Sequence, residues 1–392
     1  MDTHPEPPPR GFPESEFEER TTRAQRRMAE ARLDALLLTT EPEFRYFSGF
    51  LSQFWESPTR PWFLVVPAEG KPIAVVPEIG AAGLRDTWLD DIRTWPAPRP
   101  ADDGISLLAD ALKDLSPSHG RIGVPMGAET HLRMPLGDYT RLHDRLPGTG
   151  FMDAGPLVRR LRMTKSNREI DKIRHACRVA SHAFEALPER ARTGMNEREI
   201  CRRFRIDLLE RGADAVPYLI AASGPGGYDN IIMGPTDRVL GQGDLLIIDT
   251  GATFDGYFCD FDRNFAFGDI DDAAKRAHDA VYRATEAGLA AALPGATAEA
   301  VWQAMWSALE AGGALGNDVG RSGHGLGMQL TEPPSLMPGD DTVLKAGMVI
   351  TLEPGMTFQP GRLMVHEENI VIRDGEPELL SRRAPAEIPV IG

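Results

Sequence analysis

The feature that most constrains this chain is a set of ionisable side chains placed in apolar strands or glycine-flanked turns of its second half. In chain order they are Asp249, Asp260, His324, Glu353 and Glu367. A buried carboxylate costs several kcal/mol unless it is paired or bound to a metal. We therefore expect the fold to bring these residues together around shared positive charge.

The local sequences predict how this grouping arises. Asp249 ends an apolar strand, and Asp260 follows eleven residues later, after a turn at Asp255-Gly256 that folds the chain back. His324 lies between glycines, which permit close approach of the backbone. Four carboxylates and one imidazole suit two divalent cations in a site of mostly hard oxygen donors. Such a pair, ~3.5–4 Å apart, can hold a bridging hydroxide and polarise a carbonyl group.

Composition excludes several other classes of protein. The 392 residues are 42% apolar and 26% charged, which is typical of a soluble globular chain with two domains. The 43 basic and 58 acidic residues give a net charge of −15, so we expect neither nucleic acid nor a membrane surface as a partner. No apolar run approaches the ~20 residues of a membrane span, and no signal peptide is recognisable. With three cysteines at unpaired spacing, we expect a cytoplasmic location.

The chain is predicted to contain three segments. Proline-rich residues 1–13 resemble a disordered lead-in, and residues 14–158 alternate strands and helices as an α/β domain. Residues 159–392 contain blocks of helices and strands, which predicts an α+β domain with a mainly antiparallel sheet. A capping box at Ser166–Glu169 marks a helix start. Further helices are expected at 196–211, 271–293 and 298–311, and strands at 244–248, 256–267, 348–353 and 367–372.

In order, spacing and local frames, the five residues resemble the pita-bread metallohydrolases of family M24. That family includes methionine aminopeptidase, aminopeptidase P and prolidase, with creatinase as a metal-free relative. The matching frames are Asp-x-Gly at 249–251, Gly-Tyr-x-x-Asp at 256–260, Gly-His-Gly-x-Gly at 323–327 and Glu-Pro-Gly at 353–355.

The resemblance extends over nearly the whole chain. Residues 162–170 resemble the start of the family's catalytic domain. The strand 35–38 and the sequence Tyr46-Phe-Ser-Gly-Phe resemble its creatinase-type N-terminal domain. The implied fold class is α+β, with a pita-bread catalytic domain preceded by a creatinase-type α/β N-terminal domain.

By position, the resemblance implies a role for each of the five residues. Asp249 would bind one metal ion and His324 the other, and Asp260 and Glu367 would bridge them. Glu353 would lie beside His324 and also act as general acid and base. Mn²⁺ is the expected metal, and Zn²⁺, Co²⁺ and Fe²⁺ are compatible with the same donors.

The resemblance also implies a homodimer in which a loop of the N-terminal domain reaches the neighbour's active site. The corresponding loop is 51–62, so Trp55, Arg60 and Trp62 are candidates for lining the substrate pocket. For the two tryptophans, ordinary core packing is an equally good explanation.

The sequence departs from the family at three places near the expected site. Peptidases of the family usually have two further histidines; here one segment offers Tyr228 and Asn230 instead, and Thr331 replaces the other histidine. Losing donors aimed at developing charge costs orders of magnitude in rate. Asp262 stands where Thr is usual, and it faces the same way as Asp260 in a regular strand. It is a candidate catalytic residue, either as a proton acceptor, as a partner of a ligand or as a hook for a cationic substrate.

The leading hypothesis is a dimeric divalent-metal hydrolase that cleaves Xaa-Pro peptide bonds with a hydroxide bridging two metal ions. Two alternatives stay open. The same fold could act on a non-peptide small molecule, such as creatine, ectoine or dimethylsulfoniopropionate, and the missing histidines favour this. It could also be a non-catalytic binding module, which the five ligand-type residues argue against.

Overall fold

The structure is a computed structural model that describes residues 6–115, 118–317 and 320–392. Contacts between residues divide the chain into two compact units, Arg10–Arg162 and Met163–Gly392, and the second unit also includes residues 6–9. We call them the N-terminal and C-terminal units. The expected boundary between residues 158 and 159 lies a few residues upstream of this division, inside a helix.

The expected disordered lead-in, residues 1–13, is partly covered by the structure. Residues 1–5 lie outside the described residues. Further along, the carbonyl of Pro9 accepts a hydrogen bond of 2.7 Å from Nζ of Lys172. The first helix begins at Glu14, the first residue of the predicted α/β domain.

The N-terminal unit is built on one mixed sheet whose described strands are β1 (Ala35–Leu38), β2 (Phe63–Pro67), β3 (Ile73–Pro77), β4 (Asp91–Trp95), β5 (Arg121–Val124) and β6 (Gly150–Asp153). Their order is β4-β3-β2-β1-β5-β6. β1 is antiparallel to β2 and parallel to β5. Every residue of β1, β2 and β3 is buried, as expected for short continuous apolar runs.

Helices pack on this sheet through apolar stripes. Leu108 and Leu142 join strand residues such as Leu37 and Val65 in one core cluster. The described helices are α1 (Glu14–Ala31), α2 (Glu41–Ser48), α3 (Ala81–Leu84), α4 (Ile105–Lys113), α5 (Leu136–Arg145) and α6 (Gly155–Met163), with 3₁₀ turns at Gln53–Glu56 and Glu78–Gly80.

The C-terminal unit combines four described helices with three sheets. No described helix has both the length and the apolar character needed to cross a membrane. The helices are α7 (Asn167–Arg190), α8 (Glu197–Glu210), α9 (Asp272–Ala291) and α10 (Ala298–Ala311). The strands are β7 (Ala215–Pro225), β8 (Asp244–Phe254), β9 (Tyr257–Phe258), β10 (Phe261–Phe267), β11 (His324–Gly325), β12 (Glu332–Ser335), β13 (Val349–Leu352), β14 (Gly355–Gln359), β15 (Arg362–Val365), β16 (Glu368–Val371), β17 (Glu378–Leu379) and β18 (Val390–Ile391).

Two of these sheets carry the residues that the sequence singles out. One has the order β18-β10-β8-β7, with β9 beside β8, and the other has the order β12-β11-β13-β16-β17. β14 and β15 form a separate hairpin. Among the described pairings of this unit, β10 with β18 is parallel and the others are antiparallel. The expected mainly antiparallel α+β arrangement is therefore confirmed.

The predicted capping box starts α7. The Ser166 hydroxyl accepts a hydrogen bond of 3.2 Å from the Glu169 amide, and the Glu169 carboxylate accepts one of 2.8 Å from the Ser166 amide. The other carboxylate oxygen of Glu169 accepts from the Tyr257 hydroxyl at 3.0 Å. Glu169 thus accepts the hydrogen bond of a free amide at the helix start and also connects the helix to β9.

The strands around the expected site differ from the prediction in one respect that affects function. The strand predicted at 244–248 continues to Phe254, because the chain turns only at Asp255 and Gly256, which have φ of 46° and 72°. The strand predicted at 256–267 is two strands, β9 and β10, with Cys259 and Asp260 between them. Asp260 therefore lies at an interruption of the strand.

Replacing Ser166 with alanine removes the oxygen that accepts the Glu169 amide, so the free energy of unfolding of the C-terminal unit should fall by about 1 kcal/mol. Hydrogen exchange at the Glu169 amide should accelerate, and denaturant titration should give the energy. The matched control is S307A on the exposed face of α10, which should change stability by less than about 0.5 kcal/mol. Equal exchange in S166A and the wild type would contradict the capping role.

Candidate metal centre

The structure brings all five predicted ligand residues together. Asp260, His324 and Glu353 form one group, and Asp249, Asp260 and Glu367 form a second. Within each group, one ligand atom from every residue lies within 4.8 Å of the others. Asp260 belongs to both groups, so the two groups are adjacent and share one carboxylate.

Strand register explains how one sheet supplies its part of the site. In the antiparallel pair β8 and β10, Asp249 lies directly opposite Asp262. Directly opposite residues project from the same face of a sheet. The register that pairs β9 and β10 with β8 places Asp260 opposite Gly251. A Cβ at Gly251 would lie 2.5 Å from a methyl group of Leu330, so the glycine of the Asp-x-Gly frame leaves needed space.

The second sheet supplies two carboxylates by the same principle. The last pair of β13 with β16 is Leu352 with Glu368, and the hairpin β14–β15 continues in the same register with Gly355 opposite Val365. Glu353 and Glu367 therefore occupy opposing positions in the interval between the two paired stretches. Glu353 directly follows β13 and Glu367 directly precedes β16, so each lies next to a strand, as the sequence pattern predicts.

His324 is placed by glycines on both sides. A Cβ at Gly323 would lie 2.3 Å from the Thr351 carbonyl oxygen, and one at Gly325 would lie 2.1 Å from the Pro333 carbonyl oxygen. Backbone passes that close only where no side chain intervenes. The predicted reason for the glycine neighbours, close approach of the backbone, is thus confirmed.

The two nitrogen atoms of His324 have different partners. Nδ1 lies 2.9 Å from the Gly325 carbonyl oxygen, which fixes Nδ1 as the donor. Nε2 lies 3.0 Å from a carboxylate oxygen of Glu353 and 3.3 Å from one of Asp260. Nε2 is therefore the nitrogen available to a metal ion, and the backbone carbonyl orients the ring as is common for metal-binding histidines.

Without cations, the electrostatics of this cluster are unfavourable. Burial raises the pKa of Asp249 and of Glu367 well above the usual values, and the neighbouring carboxylates add to the shift. Burial also raises the pKa of Asp260 to about 6, although His324 acts against it. For His324, burial lowers the pKa, but Glu353 and Asp260 outweigh it and hold the pKa well above its usual value.

These residues fit a divalent metal. Oδ1 of Asp249 is buried and forms no hydrogen bond within the described part of the chain. Carboxylate oxygens and an imidazole nitrogen are ligands that bind divalent cations. The positive charge of the cations would offset the repulsion between the four carboxylates. Glu353 is the least buried of the five residues, so the cluster is most accessible on its side.

Three residues that were not predicted from the sequence lie against the proposed ligand residues. The Asn369 amide oxygen accepts from the Asp260 amide at 2.9 Å, and its nitrogen donates to the Asp260 carbonyl. The Thr351 hydroxyl accepts from the His324 amide at 2.9 Å and donates to Glu353. The Tyr218 side chain lies beside Asp249 and acts against the rise of its pKa. A signal existed for two of them: Thr351 and Asn369 lie two residues from predicted ligands in strands, hence on the same face.

The predicted substrate residues of the C-terminal unit lie outside both ligand groups. Tyr228 is 2% exposed, and its hydroxyl donates to Asn264 at 3.0 Å and accepts from the Val365 amide at 2.9 Å. Both hydrogen-bonding capacities of this hydroxyl are thus used inside the protein, which differs from the expected substrate contact. Asn230 is half-buried and Thr331 is exposed. Their roles stay predictions.

In the N-terminal unit, the two tryptophans belong to an aromatic cluster. Trp62 is 1% exposed and stacks on Phe50 with ring centroids 5.2 Å apart, and Trp55 lies 5.8 Å from Trp62. The core-packing interpretation therefore describes Trp62 within this unit. Arg60 is half-buried, with its guanidinium 5.6 Å from the centre of the Phe54 ring. A substrate role for these residues stays a prediction.

The raised pKa values predict how metal removal affects stability. Burial raises the pKa of Asp260 to about 6 and of Asp262 to about 7, so the metal-free folded chain binds more protons than the unfolded chain between about pH 4 and 7. Its free energy of unfolding should fall as pH rises through this window. Bound cations should remove this loss. Thermal unfolding of EDTA-treated and Mn²⁺-loaded protein at pH 5, 6, 7 and 8 measures the fall in stability without metal and its removal by bound cations.

The difference between the two forms isolates the cluster from other titrating groups. Burial lowers the pKa of His278 to about 4, which has the opposite sign: the unfolded chain then binds more protons, and stability rises with pH between about 4 and 6.5. His278 contributes equally with and without metal. A melting-temperature difference that does not grow from pH 5 to pH 8 would contradict the prediction.

Comparison with known proteins identifies the family. Residues 171–374 match metallopeptidase family M24, and residues 20–164 match the creatinase/prolidase N-terminal domain. The probable dipeptidase PepE of Mycobacterium bovis is 30% identical over 394 residues, covering 97% of this chain and 98% of that protein. The Xaa-Pro dipeptidase of Lactobacillus delbrueckii subsp. lactis is 25% identical over 348 residues, covering 88% and 91%.

Solved structures agree with the sequence comparisons. The crystal structure of dipeptidase PepE from Mycobacterium ulcerans matches with a TM-score of 0.85 and 28% identity, covering 97% of this chain and 99% of that one. The expected fold, a pita-bread domain preceded by a creatinase-type N-terminal domain, is confirmed. So is the expectation of an enzyme of the M24 metallohydrolase type. The chain belongs to metallopeptidase family M24.

Proposed function

We propose that this protein is a metal-dependent dipeptidase that hydrolyses Xaa-Pro dipeptides at a dinuclear centre. The observation that carries the proposal is the pair of three-residue ligand groups that share Asp260. A single metal ion would need only one such group. Relatives named as a probable dipeptidase and as an Xaa-Pro dipeptidase match over most of their length, which supports the peptide class.

Each ion would have its own ligands. Asp249 and Glu367 would hold one ion, His324 and Glu353 the other, and Asp260 would contact both. We also propose Glu367 as a second bridge, on the resemblance given above. Mn²⁺ is our first choice, and Zn²⁺, Co²⁺ and Fe²⁺ suit the same donors. Two such cations, when bound, supply a nucleophilic oxygen at neutral pH and polarise the scissile carbonyl.

Glu353 is the proposed proton carrier. Burial raises its pKa, but His324 outweighs this effect and the net pKa is lowered, so the side chain is a carboxylate at neutral pH. Thr351 donates to it and fixes its position. As the most accessible of the five residues, Glu353 can accept a proton from the attacking water and deliver it to the leaving amine.

A second candidate function is hydrolysis or lyase chemistry on a small zwitterionic metabolite of the creatine, ectoine or dimethylsulfoniopropionate type. The observation that favours it is the replacement of two histidines. Ile231 and Thr331 occupy their positions, and the nearby Tyr228 hydroxyl is used inside the protein. With such donors missing, recognition of a peptide requires other groups.

We further propose a cytoplasmic homodimer whose loop 51–62 contributes to the neighbour's site. Support comes from the loop itself, where Leu51 and Phe54 are 56% and 42% exposed in the isolated chain. Apolar side chains this exposed are suited to contact with another surface. The three cysteines are free and buried, which suits a reducing compartment.

The first test is proline release from Ala-Pro, Leu-Pro and Met-Pro by Mn²⁺-loaded enzyme, with Ala-Ala as control dipeptide and an EDTA-treated sample. We expect chelator-sensitive release from the proline dipeptides and at least tenfold slower cleavage of Ala-Ala. Metal content is measured on the same preparation. No release from protein that holds about two metal ions per chain would overturn the peptidase proposal in favour of the second candidate.

Replacing Glu353 with glutamine tests the proton carrier. E353Q keeps a hydrogen-bonding side chain but removes the basic carboxylate, so kcat should fall by about 10²-fold or more. Measuring metal content alongside separates loss of proton transfer from loss of a ligand. The matched control is E376Q on the surface, which should keep wild-type kcat. An E353Q enzyme with full metal and near-normal kcat would contradict the assignment.

A further inference from the structure

Asp262 carries a charge that neither ligand group uses. It is 1% exposed and lies opposite Asp249 across the β8–β10 pair, so its carboxylate projects from the face that carries the metal ligands. It belongs to neither three-residue group. The side chain thus lies beside the centre without being one of its ligands.

One oxygen of Asp262 has a defined task. Oδ1 accepts a hydrogen bond of 3.1 Å from the backbone amide of Glu367. This bond connects the sheet that carries Asp249 to the sheet that carries Glu367. Asp262 therefore positions a ligand residue through the main chain, which an uncharged acceptor of the same shape could do equally well.

The other oxygen has no such explanation. Oδ2 is buried and has no hydrogen-bond partner within the described residues. The adjacent cation, Arg263, pairs with Glu368 at 3.0 Å and donates to the Glu367 carbonyl at 2.8 Å. As the next residue in the strand, Arg263 projects to the opposite face, and its charge only partly offsets the burial that raises the pKa of Asp262. The negative charge of Asp262 thus faces the ligand cluster, and a buried charge needs compensation.

We propose that Asp262 is a positioning residue that also adds one negative charge behind the ligands and thereby raises the affinity of the centre for divalent cations. The proposal rests on the proposed metal-dependent function. It explains why this chain has a carboxylate where the family usually has a neutral threonine. Mutating a residue that supports metal ligands from outside the ligand set typically lowers metal affinity or activity by about 10- to 100-fold.

The test compares D262N and D262T with the wild type in Mn²⁺ titrations against a metallochromic chelator at pH 8. D262N keeps the acceptor for the Glu367 amide and removes only the charge, so we expect about tenfold weaker Mn²⁺ binding at unchanged stoichiometry. D262T has the residue usual in the family and should weaken binding similarly. Circular dichroism verifies that each variant is folded.

The matched control is D244N. Asp244 is a buried aspartate in the same strand as Asp249, at the end away from the cluster, and pairs with Arg238 at 2.7 Å. Removing its charge should leave Mn²⁺ affinity unchanged. A similar loss in D244N and D262N would overturn the proposal, because it would reflect a general effect of buried charge or stability.

Two further outcomes would overturn the inference while the proposed function stands. Wild-type affinity in folded D262N and D262T, in an enzyme that hydrolyses its substrate, would mean that the Asp262 charge has no influence on the metal ions. Loss of one bound ion at saturating Mn²⁺ would make Asp262 a ligand itself. If wild-type protein binds no Mn²⁺, the proposed function fails together with this inference. This outcome differs from the two above, in which only the inference fails.

Discussion

Repulsion between buried carboxylates is the constraint on which the rest of the C-terminal unit depends. Asp249, Asp260 and Glu367 would separate in a flexible scaffold, because charge prefers water to a protein interior. Their neighbours prevent this. Asn369 holds the backbone of Asp260 from both sides, and Thr351 hydrogen-bonds two ligand residues at once. Rigid support of this kind keeps donors at the spacing that a metal requires.

The two ligand groups lie where two mainly antiparallel sheets meet. Asp249 lies opposite Asp262 in the ladder of one sheet, and Glu353 and Glu367 occupy opposing positions just beyond the last pair of β13 with β16. The amide of Glu367 donates across to Asp262, so the sheets are connected at the ligands themselves. The buried Tyr228 hydroxyl makes a further link, between Asn264 of β10 and the backbone of β15. The position of the site is therefore a property of strand register.

The sequence was most informative where the polarity of one residue differs from that of its neighbours in the chain. Acids in or beside apolar strands led to the predicted carboxylate ligands, and the capping box predicted the start of α7. Residues that agree with their surroundings were missed: Tyr218 and Thr351 are ordinary strand residues, and only tertiary contacts give them a role. The interruption at Asp260 was also missed, because an apolar run does not reveal where a ladder breaks. Trp62 could not be assigned for a similar reason, since a tryptophan suits a core and a pocket equally.

Ligands and candidate substrate contacts differ in how deeply they are embedded. Buried hydrogen bonds hold the backbone of Asp260 and of Glu367, whereas Thr331 is exposed and Asn230 is half-buried in a glycine-rich loop. Substitutions at these two positions would not remove those buried hydrogen bonds. If these two residues contact the substrate, as predicted, substrate preference can change through the loops while the hydrogen bonds around the proposed centre are kept.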